Sequence, residues 1–446
     1  MQLTQKLQIH PTMEQETVLW ALSEKCRLIY NFSLAERIDT WEENKEKPEK
    51  ERKYISYIKQ QNDLPSIKKQ YPEYNWVYSK VLQSTLRKLE EAYKSFFALW
   101  KKGDKDAHPP RYKGKDYFTN MCYNQSGFKI EGNTIIFSHK HPSKVKLAFC
   151  ISDKRPLFSN IKQVELFRDG KKRWFVSITH EVEIPPYVDN DLFQAYDLGI
   201  TEIASGVNVY GRFVQFENNR PDKYWKPMIE EVQTKRDHCK KGSRRWHWYN
   251  KKLVKMRSKL AKQMKDYQHW VSRWIIDHTR ANTIIIGNLN VKEMARKKLG
   301  TGNPRKNKAN KTLNYSLQNT GSMGRFATFL EYKAKLAGKR VVKVDECLTT
   351  QVCCCCGKIK KRALSDRIID CNCGNRMDRD LNSAINIMIV FLLKAENGDY
   401  DFLLPNPSVN GESFLNLFPK ATERFATIHR LARCRSSDAL VENALQ

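Results

Sequence analysis

Long apolar runs are missing from this sequence of 446 residues, because no segment approaches the roughly 18 apolar residues that a membrane-spanning helix needs. The first residues, MQLTQKLQIHPTMEQ, contain no apolar signal core. The 10 histidines show no HxxxH or similar spacing, so we assign none of them to a metal. We therefore expect a cytoplasmic protein that has no membrane partner.

Acidic residues are also scarce relative to basic ones. The chain has 49 Asp and Glu against 79 Lys and Arg, a formal net charge of +30. Because the basic residues are spread along most of the chain, they indicate a broad nucleic-acid-binding surface with strongly salt-dependent affinity, and hence association with the nucleoid. Six of the 12 cysteines lie between 353 and 373. That clustering favours metal binding in a reducing cytosol over disulfides.

The cysteine cluster has the spacing of a zinc ribbon. Two short pairs, one with two residues between its members and one with a single residue, can supply four thiolates to a tetrahedral zinc ion. The four candidate ligands are Cys353, Cys356, Cys371 and Cys373. Gly357 and Gly374 let the two turns close. Either Cys354 or Cys355 could replace a neighbour as ligand, and four buried thiols without a metal remain the alternative.

Acids flank this cluster on both sides. The β-branched run Val341–Val344 predicts a strand, and Asp345 and Glu346 follow it. Since side chains alternate along a strand, only one of these two acids can point into a site. The alternative is a solvated acid pair that only caps the strand. Asp378 and Asp380 precede a predicted helix, and either could be a simple N-cap.

The remainder of the chain suggests several domains of helices and strands. Thr12 and Gln15 predict the start of a helix through a capping box. Strands on both sides of a helical part predict one β-barrel with a helical insert. Three strands, a helix, a strand, a helix and a strand then predict a mixed α/β sheet of the RNase H kind, with Asp197 in its first strand. The predicted parts are a first strand at 1–10, a helical lobe at 11–115, a β-barrel at 116–186, an α/β domain at 187–346 with a basic helical hairpin at 224–280, a zinc ribbon at 347–376, the end of the α/β domain at 377–394, and a tail of unknown role at 395–446.

Several motifs together resemble the TnpB family of insertion-sequence RNA-guided DNA nucleases, which is related to compact type V CRISPR effectors and to Fanzor proteins. The resemblance covers about residues 1–390 and rests on LTQKLQIHPTMEQ, CRLIYNFSL, VLQSTLRKLEEAYKSFF, AYDLGIT, GRFATFLEYKAKLAGKRVVKVDE, the cysteine pairs and MDRDLNSAINI. It implies a wedge-like β-barrel, a helical recognition lobe and a RuvC nuclease domain with an inserted zinc ribbon. It also implies a guide RNA transcribed beside the gene, a DNA target that is double-stranded and locally single-stranded, and a monomer in the RNA–protein complex.

One departure from the family pattern concerns a catalytic glutamate. Many members carry Glu-Asp-Leu-Asn at a strand end, where this chain has Gly287-Asn288-Leu289-Asn290. Some TnpB relatives and many Fanzor proteins instead place the glutamate just before the ribbon, where Val-Asp-Glu-x-x-Thr stands here. The resemblance then implies that Mg²⁺ is held by Asp197, Glu346 and Asp380. The alternative is a nuclease-inactive RNA-guided protein that binds DNA as a repressor. No part of this sequence resembles the Tyr and His-x-His residues of the insertion-sequence transposases that accompany TnpB.

The resemblance also points to residues that read the short DNA motif beside the target. They lie on the polar side of a helix predicted from 78 to 101 and in a neighbouring predicted strand. The candidates are Lys80, Gln83, Ser84, Tyr123, Asn124 and Gln125. Gln or Asn can pair bidentately with adenine, for about 1–3 kcal/mol of discrimination. The alternative is that these residues contact only backbone phosphates.

Overall fold

The computed structural model describes residues 1–104, 106–124, 126–151, 160–288, 323–363, 366–396 and 409–434. The chain divides into two compact units, Met1–Glu183 and Ile184–Gln446, and each is a mixture of helices and strands. Among the helices in these ranges, none has the length and apolar character needed to cross a bilayer.

The first unit contains four helices between its first and second strands. They are α1 (Met13–Lys45), α2 (Tyr57–Asn62), α3 (Leu64–Gln70) and α4 (Ser79–Lys101), with 3-10 turns at Glu49–Glu51 and Pro72–Trp76. At the start of α1, Gln15 N donates to Thr12 Oγ1 over 3.2 Å and Thr12 N donates to Gln15 Oε1 over 3.0 Å. This is the capping box that the sequence predicted. Helices α1 and α4 pack through apolar stripes onto the strands of this unit.

The strands of the first unit form two antiparallel sheets. They are β1 (Gln2–Ile9), β2 (Met121–Asn124), β3 (Phe128–Glu131), β4 (Thr134–Phe137), β5 (Leu147–Cys150), β6 (Ile161–Arg168) and β7 (Trp174–Glu181). One sheet has the order β1-β7-β6-β2 and the other β3-β4-β5. A closed barrel would need the edge strands to pair, and in the described part of the chain β1 and β2 pair on one side only. The predicted closed β-barrel is therefore not found.

The second unit is built on a five-stranded mixed sheet. Its strands are β8 (Phe193–Asp197), β9 (Glu202–Asn208), β10 (Phe213–Glu217), β11 (Thr283–Gly287) and β12 (Arg340–Val344), in the order β10-β9-β8-β11-β12. Strands β8, β11 and β12 are parallel, β9 pairs antiparallel with β8, and β10 pairs antiparallel with β9. The central strand β11 is TIIIG and is buried along its whole length, as expected for a parallel strand covered on both faces.

Helices surround this sheet in the described part of the second unit. They are α5 (Pro221–Asp237), which packs on α6, α6 (Arg244–His278), α7 (Met323–Leu336), α8 (Arg379–Glu396), and α9 (Val409–Leu417) and α10 (Pro419–Cys434), which pack on α8. A short hairpin of β13 (Ile368–Asp370) and β14 (Arg376–Asp378) precedes α8. Gly242, at φ 85°, lies between α5 and α6. Helices α6 and α7 pack on one sheet face, and α8 packs on the other.

The described helices of the tail, whose role the sequence analysis left open, pack in the core of the second unit. Phe414 of α9 and Phe425 of α10 are buried in the same apolar cluster as α8. Asn410 N donates to Asp191 Oδ2 over 3.0 Å, which attaches α9 beside the start of β8. The run INIMIVFLL within α8 is apolar on all sides, and a helix of that kind needs cover on every face. The sheet and the tail helices supply that cover.

Candidate active site

The alternation of side chains along β8, β11 and β12 places one position at the end of each strand on the sheet face that α8 covers. Phe193 and Ala195 of β8 pack in the cluster that contains α8, whereas Tyr196 packs in the cluster on the opposite face. By the period of two, Asp197 lies on the α8 face, at the carboxyl end of β8. The same reasoning applies to the ends of β11 and β12. Ile285 and Val344 are in the α8 cluster, so Gly287 and Glu346 continue that face.

Asp197 is the most enclosed of these acids. Part of the residue reaches solvent, but protein atoms surround its carboxylate. Burial raises the pKa of Asp197 well above its ordinary value, and the carboxylates of Glu346 and Asp380 raise it further. The Ser383 hydroxyl of α8 donates a hydrogen bond that acts in the opposite direction. The three acids proposed from the sequence therefore interact electrostatically in one place.

Glu346 occupies the space above Gly287. A Cβ added to Gly287 would lie 1.1 Å from Glu346 Oε1 and 1.9 Å from its Cδ, so no residue with a side chain fits there while Glu346 keeps this position. Glu346 Oε1 is buried and has no hydrogen-bond partner among the described residues. Burial raises the pKa of Glu346 to about 7, with a contribution from neighbouring Asp345. Asp345 itself is exposed, as the predicted alternation requires.

Asp378 and Asp380 make different contacts at the start of α8. Asp378 Oδ1 accepts from the backbone N–H groups of Asp380 at 2.8 Å and Leu381 at 3.1 Å, which makes it the N-cap. Asp380 is 7% exposed and keeps its carboxylate on the site side. Its Oδ2 accepts from Arg367 Nη1 at 3.2 Å, and its Oδ1 accepts from Arg379 Nη2 at 3.3 Å.

Glu202, at the start of β9, is an acid that the sequence reasoning missed. Its Oε2 is buried without a hydrogen-bond partner. Burial raises the pKa of Glu202, and the carboxylates of Glu217, Asp378 and Asp380 raise it further. Its position directly after the four-residue loop that follows Asp197 could have suggested it, but a polar residue at the start of a strand is common.

The four cysteines chosen from the spacing come together. Their Sγ atoms all lie within 4.8 Å of one another, with Cys353 Sγ 3.8 Å from Cys373 Sγ and Cys356 Sγ 3.5 Å from Cys371 Sγ. Gly357 and Gly374 have φ values of 68° and 88°, so glycine suits both turns. Cys354 points into the apolar core beside Met377, and Cys355 is exposed outside the group. Among the described acids, cysteines and histidines, this is the one group whose ligand atoms are so closely gathered.

Two asparagines of α8 attach the cysteine-rich turn to the acidic site. Asn386 Nδ2 donates to the carbonyls of Thr349 and Val352, both at 2.8 Å. Asn382 Nδ2 donates to Val352 O at 2.8 Å, and its Oδ1 accepts from Cys354 N at 2.9 Å. Both asparagines are fully buried. They therefore bind the loop from Thr349 to Val352 to the first turns of α8.

The first unit contains a polar pocket lined by most of the predicted motif-reading residues. Helix α4 and strand β2 bring Lys80, Gln83, Ser84 and Asn124 together, and Gln163 of β6 adds a further amide. Gln125 lies outside the described residues. The sequence reasoning did not find Gln163, because β6 is distant in sequence from α4.

Tyr123 does not belong to this pocket, so its assignment to DNA reading was wrong. Its side chain is 0% exposed and lies 4.8 Å from the ring of Phe137 and 6.2 Å from the ring of Tyr78, centroid to centroid. Neighbouring residues of a strand face opposite sides, so Asn124 points to the pocket while Tyr123 points to the core.

Two family descriptions match the chain. The family described as Cas12f1-like, TNB domain matches residues 324–387, which include α7, Glu346, the cysteine group and Asp380. The family described as a helix-turn-helix domain matches residues 1–46. In this structure those residues form strand β1 and the single long helix α1.

Relatives and one solved structure match over most of the chain. A Streptomyces pristinaespiralis protein provisionally named RNA-guided DNA endonuclease is 25% identical over 88% of this chain and 90% of its own length. InsQ, a protein of Escherichia coli K12 that is also provisionally named RNA-guided DNA endonuclease, is 27% identical over 86% of this chain and 90% of its own length. The Cas12f1 chain of a cryo-EM complex with sgRNA and target DNA is 14% identical, with a TM-score of 0.55 over 87% of this chain and 98% of that chain. Its mixed α/β fold is similar to that of this protein. The matches extend along almost the whole of both relatives, so this chain is similar to RNA-guided DNA endonucleases of the TnpB-like kind over most of its length.

Proposed function

We propose that this protein is the RNA-guided DNA endonuclease of a transposable element and cuts guide-matched DNA at a RuvC-type site. The observation that carries the proposal is the meeting of Asp197, Glu346 and Asp380 on one face of an RNase H-like sheet. A merely structural acid cluster would be costly, since buried like charges repel one another. The provisional names of both relatives support the same activity.

The three acids suit a magnesium site. Carboxylate oxygens are the ligands that Mg²⁺ prefers, and the unpartnered Glu346 Oε1 is available for one. Asp197, Glu346 and Asp380 would hold the metal, which when bound would activate water and stabilise the leaving 3′ oxygen. Ser383 orients Asp197, and Asp378 fixes the first turn of α8 and with it Asp380. Arg367 and Arg379 neutralise Asp380 where no cation is present.

The cysteine group suits zinc. Tetrahedral zinc with Zn–S distances of about 2.3 Å separates its sulfurs by roughly 3.8 Å, close to the 3.5 and 3.8 Å found between two of the Sγ pairs. Cys353, Cys356, Cys371 and Cys373 would hold a structural zinc ion. We propose that the ion fixes the turn that Asn382 and Asn386 bind, directly after Glu346.

The basic surface fits RNA and DNA as partners. At a net charge of +30 the chain attracts polyanions, and guide pairing would supply sequence specificity. The pocket of Lys80, Gln83, Ser84, Asn124 and Gln163 offers three amides and suits base reading in a groove. We propose that it reads the motif beside the target.

The first prediction tests cleavage. The purified protein with its guide RNA and Mg²⁺ should cut matched DNA, and cleavage should fall at least ~1,000-fold in Asp197→Ala, Glu346→Gln and Asp380→Ala, because each removes a ligand of one shared site. Target binding, measured by gel shift, should survive in all three. Asp345→Asn is the matched control, since Asp345 is exposed, and it should cut nearly as well as the wild type. A wild type that binds but never cuts would instead establish the repressor function.

The second prediction uses the contact between Gly287 and Glu346. Gly287→Ala should reduce the cleavage rate as strongly as Glu346→Gln, because the new Cβ takes the place of the Glu346 carboxyl group. Gly324→Ala is the control, since a Cβ at Gly324 meets no atom within 4 Å. Normal cleavage by Gly287→Ala, in protein that melts like the wild type, would show that Glu346 acts from another position or not at all.

The third prediction concerns zinc. Purified protein should contain about one zinc per chain by elemental analysis, and Cys371→Ser should lose it. Cys355→Ser should retain full zinc content because Cys355 lies outside the group. Folded wild-type protein without zinc would contradict the assignment.

The fourth prediction concerns motif reading. Gln83→Ala should relax the preference for the target-adjacent motif by roughly 5- to 150-fold, the equivalent of about 1–3 kcal/mol for one bidentate contact. Guide-RNA binding should be unchanged. Gln8→Ala, which changes an exposed glutamine of β1 outside the pocket, should leave the preference intact. The motif preference is measured on a randomised target library. If Gln83→Ala has the same preference as the wild type, α4 does not read the motif.

A further inference from the structure

A cluster of aromatic side chains lies on the α5–α6 hairpin, outside the acidic site. Tyr224 of α5 and Trp270 of α6 are 67% and 56% exposed, and Tyr267 lies between them in the same pocket. We call these three residues the aromatic pocket. Large exposed aromatic side chains are unusual on a surface with no partner, because their burial would be favourable.

The pocket is held in place by its own contacts. The rings of Tyr267 and Trp270 are stacked, with centroids 5.9 Å apart and planes inclined by 18°. The Tyr267 hydroxyl donates a hydrogen bond to the backbone carbonyl of Glu217. Gln263, one turn before Tyr267, accepts a hydrogen bond from Trp225 Nε1 at 2.7 Å, which joins α6 to α5. The rings are therefore ordered before any ligand arrives, which lowers the entropic cost of binding.

The charge around the pocket favours a polyanion. Exposed lysines flank it on both helices: Lys223 and Lys226 on either side of Tyr224, and Lys262 and Lys265 on α6. Asp266 lines the pocket, and on its inner side burial raises the pKa of Tyr267, with a further contribution from the nearby carboxylates of Glu202 and Glu217. Aromatic faces among lysines are the combination by which proteins bind single-stranded nucleic acid, with bases on the rings and phosphates on the cations.

Hydrogen bonds connect the rim of the pocket to the acidic site. Arg367 donates to Asp380 Oδ2 at 3.2 Å and also to the hydroxyl of Thr201. Asn218 N donates to Thr201 O at 2.8 Å, and Arg220 N on the pocket rim donates to Asn218 O at 2.7 Å. The rim of the aromatic pocket and the acidic site are therefore joined by a short chain of hydrogen bonds within this unit.

We propose that the aromatic pocket stacks one unpaired base of the DNA strand that enters the acidic site, and so positions that strand for cutting. The proposal rests on the proposed nuclease function for the identity of the strand. The stacking itself requires only single-stranded DNA and can be measured without cleavage.

The test is fluorescence of 2-aminopurine, an adenine analogue that stacking quenches. Full-length Asp197→Ala protein with its guide RNA is bound to matched DNA that carries 2-aminopurine at successive positions around the cut. We expect strong quenching, beyond that of the free strand, at one or two adjacent positions. Trp270→Ala should abolish this quenching and weaken single-stranded DNA binding about tenfold, in line with the loss of one base–aromatic stack. Trp270→Phe should keep most of the quenching.

The matched control is Trp248→Ala. Trp248 is 60% exposed on the same helix, but lies about 33 Å away along α6 at 1.5 Å per residue. It should leave the position-specific quenching unchanged. Quenching at no position, equal loss in Trp248→Ala, or quenching only when 2-aminopurine is placed in the guide RNA would each overturn the proposal. If the wild type cuts DNA but no position is quenched, the nuclease function is supported and the base-stacking proposal is wrong. If quenching is observed but the wild type does not cut, the base-stacking proposal is supported and the nuclease function is wrong.

Discussion

The alternation of side chains along three parallel strand ends is the constraint on which the site depends. Asp197, Gly287 and Glu346 each continue the face of the sheet that carries α8, and parallel pairing aligns the three strand ends. A shift of one residue in β12 would exchange Glu346 for Asp345 and direct the longer acid to the opposite face. The absence of a side chain at Gly287 completes the arrangement, since the Glu346 carboxyl group fills that space.

Such a group of acids is unfavourable without a cation, and the surrounding residues show how the fold accommodates it. Ser383 hydrogen-bonds Asp197, and two arginines hold the carboxylate of Asp380. Glu346 Oε1 has no corresponding partner. A buried oxygen of this kind is costly in a purely structural role, so its retention in a strongly basic chain fits a metal ligand better.

The sequence predicted those parts of the structure that local patterns determine. Apolar runs located β8, β11 and β12, alternation separated Glu346 from Asp345, and spacing selected the four cysteines. The prediction of a β-barrel was wrong because a barrel depends on pairing between edge strands that are distant in sequence. Strands of four residues have too short a sequence pattern to predict such pairing. The assignment of Tyr123 was wrong because neighbouring residues of a strand face opposite sides, so Tyr123 and Asn124 could not both face the pocket. The tail was detectable only indirectly, from a helix α8 too apolar to be covered by one sheet.

Helix α8 joins the functional parts of the second unit. The first turn of α8 carries Asp380. The following turns carry Ser383 and the two asparagines that bind the loop from Thr349 to Val352. The apolar remainder of α8 packs between the sheet and the tail helices. That loop begins three residues after Glu346 and ends one residue before the first cysteine of the group. A metal held by the cysteines would therefore fix both ends of the acidic site at once, through the loop for Glu346 and through Asn382 for α8. A structural metal at the cysteines and a catalytic metal at the acids would then both act through α8.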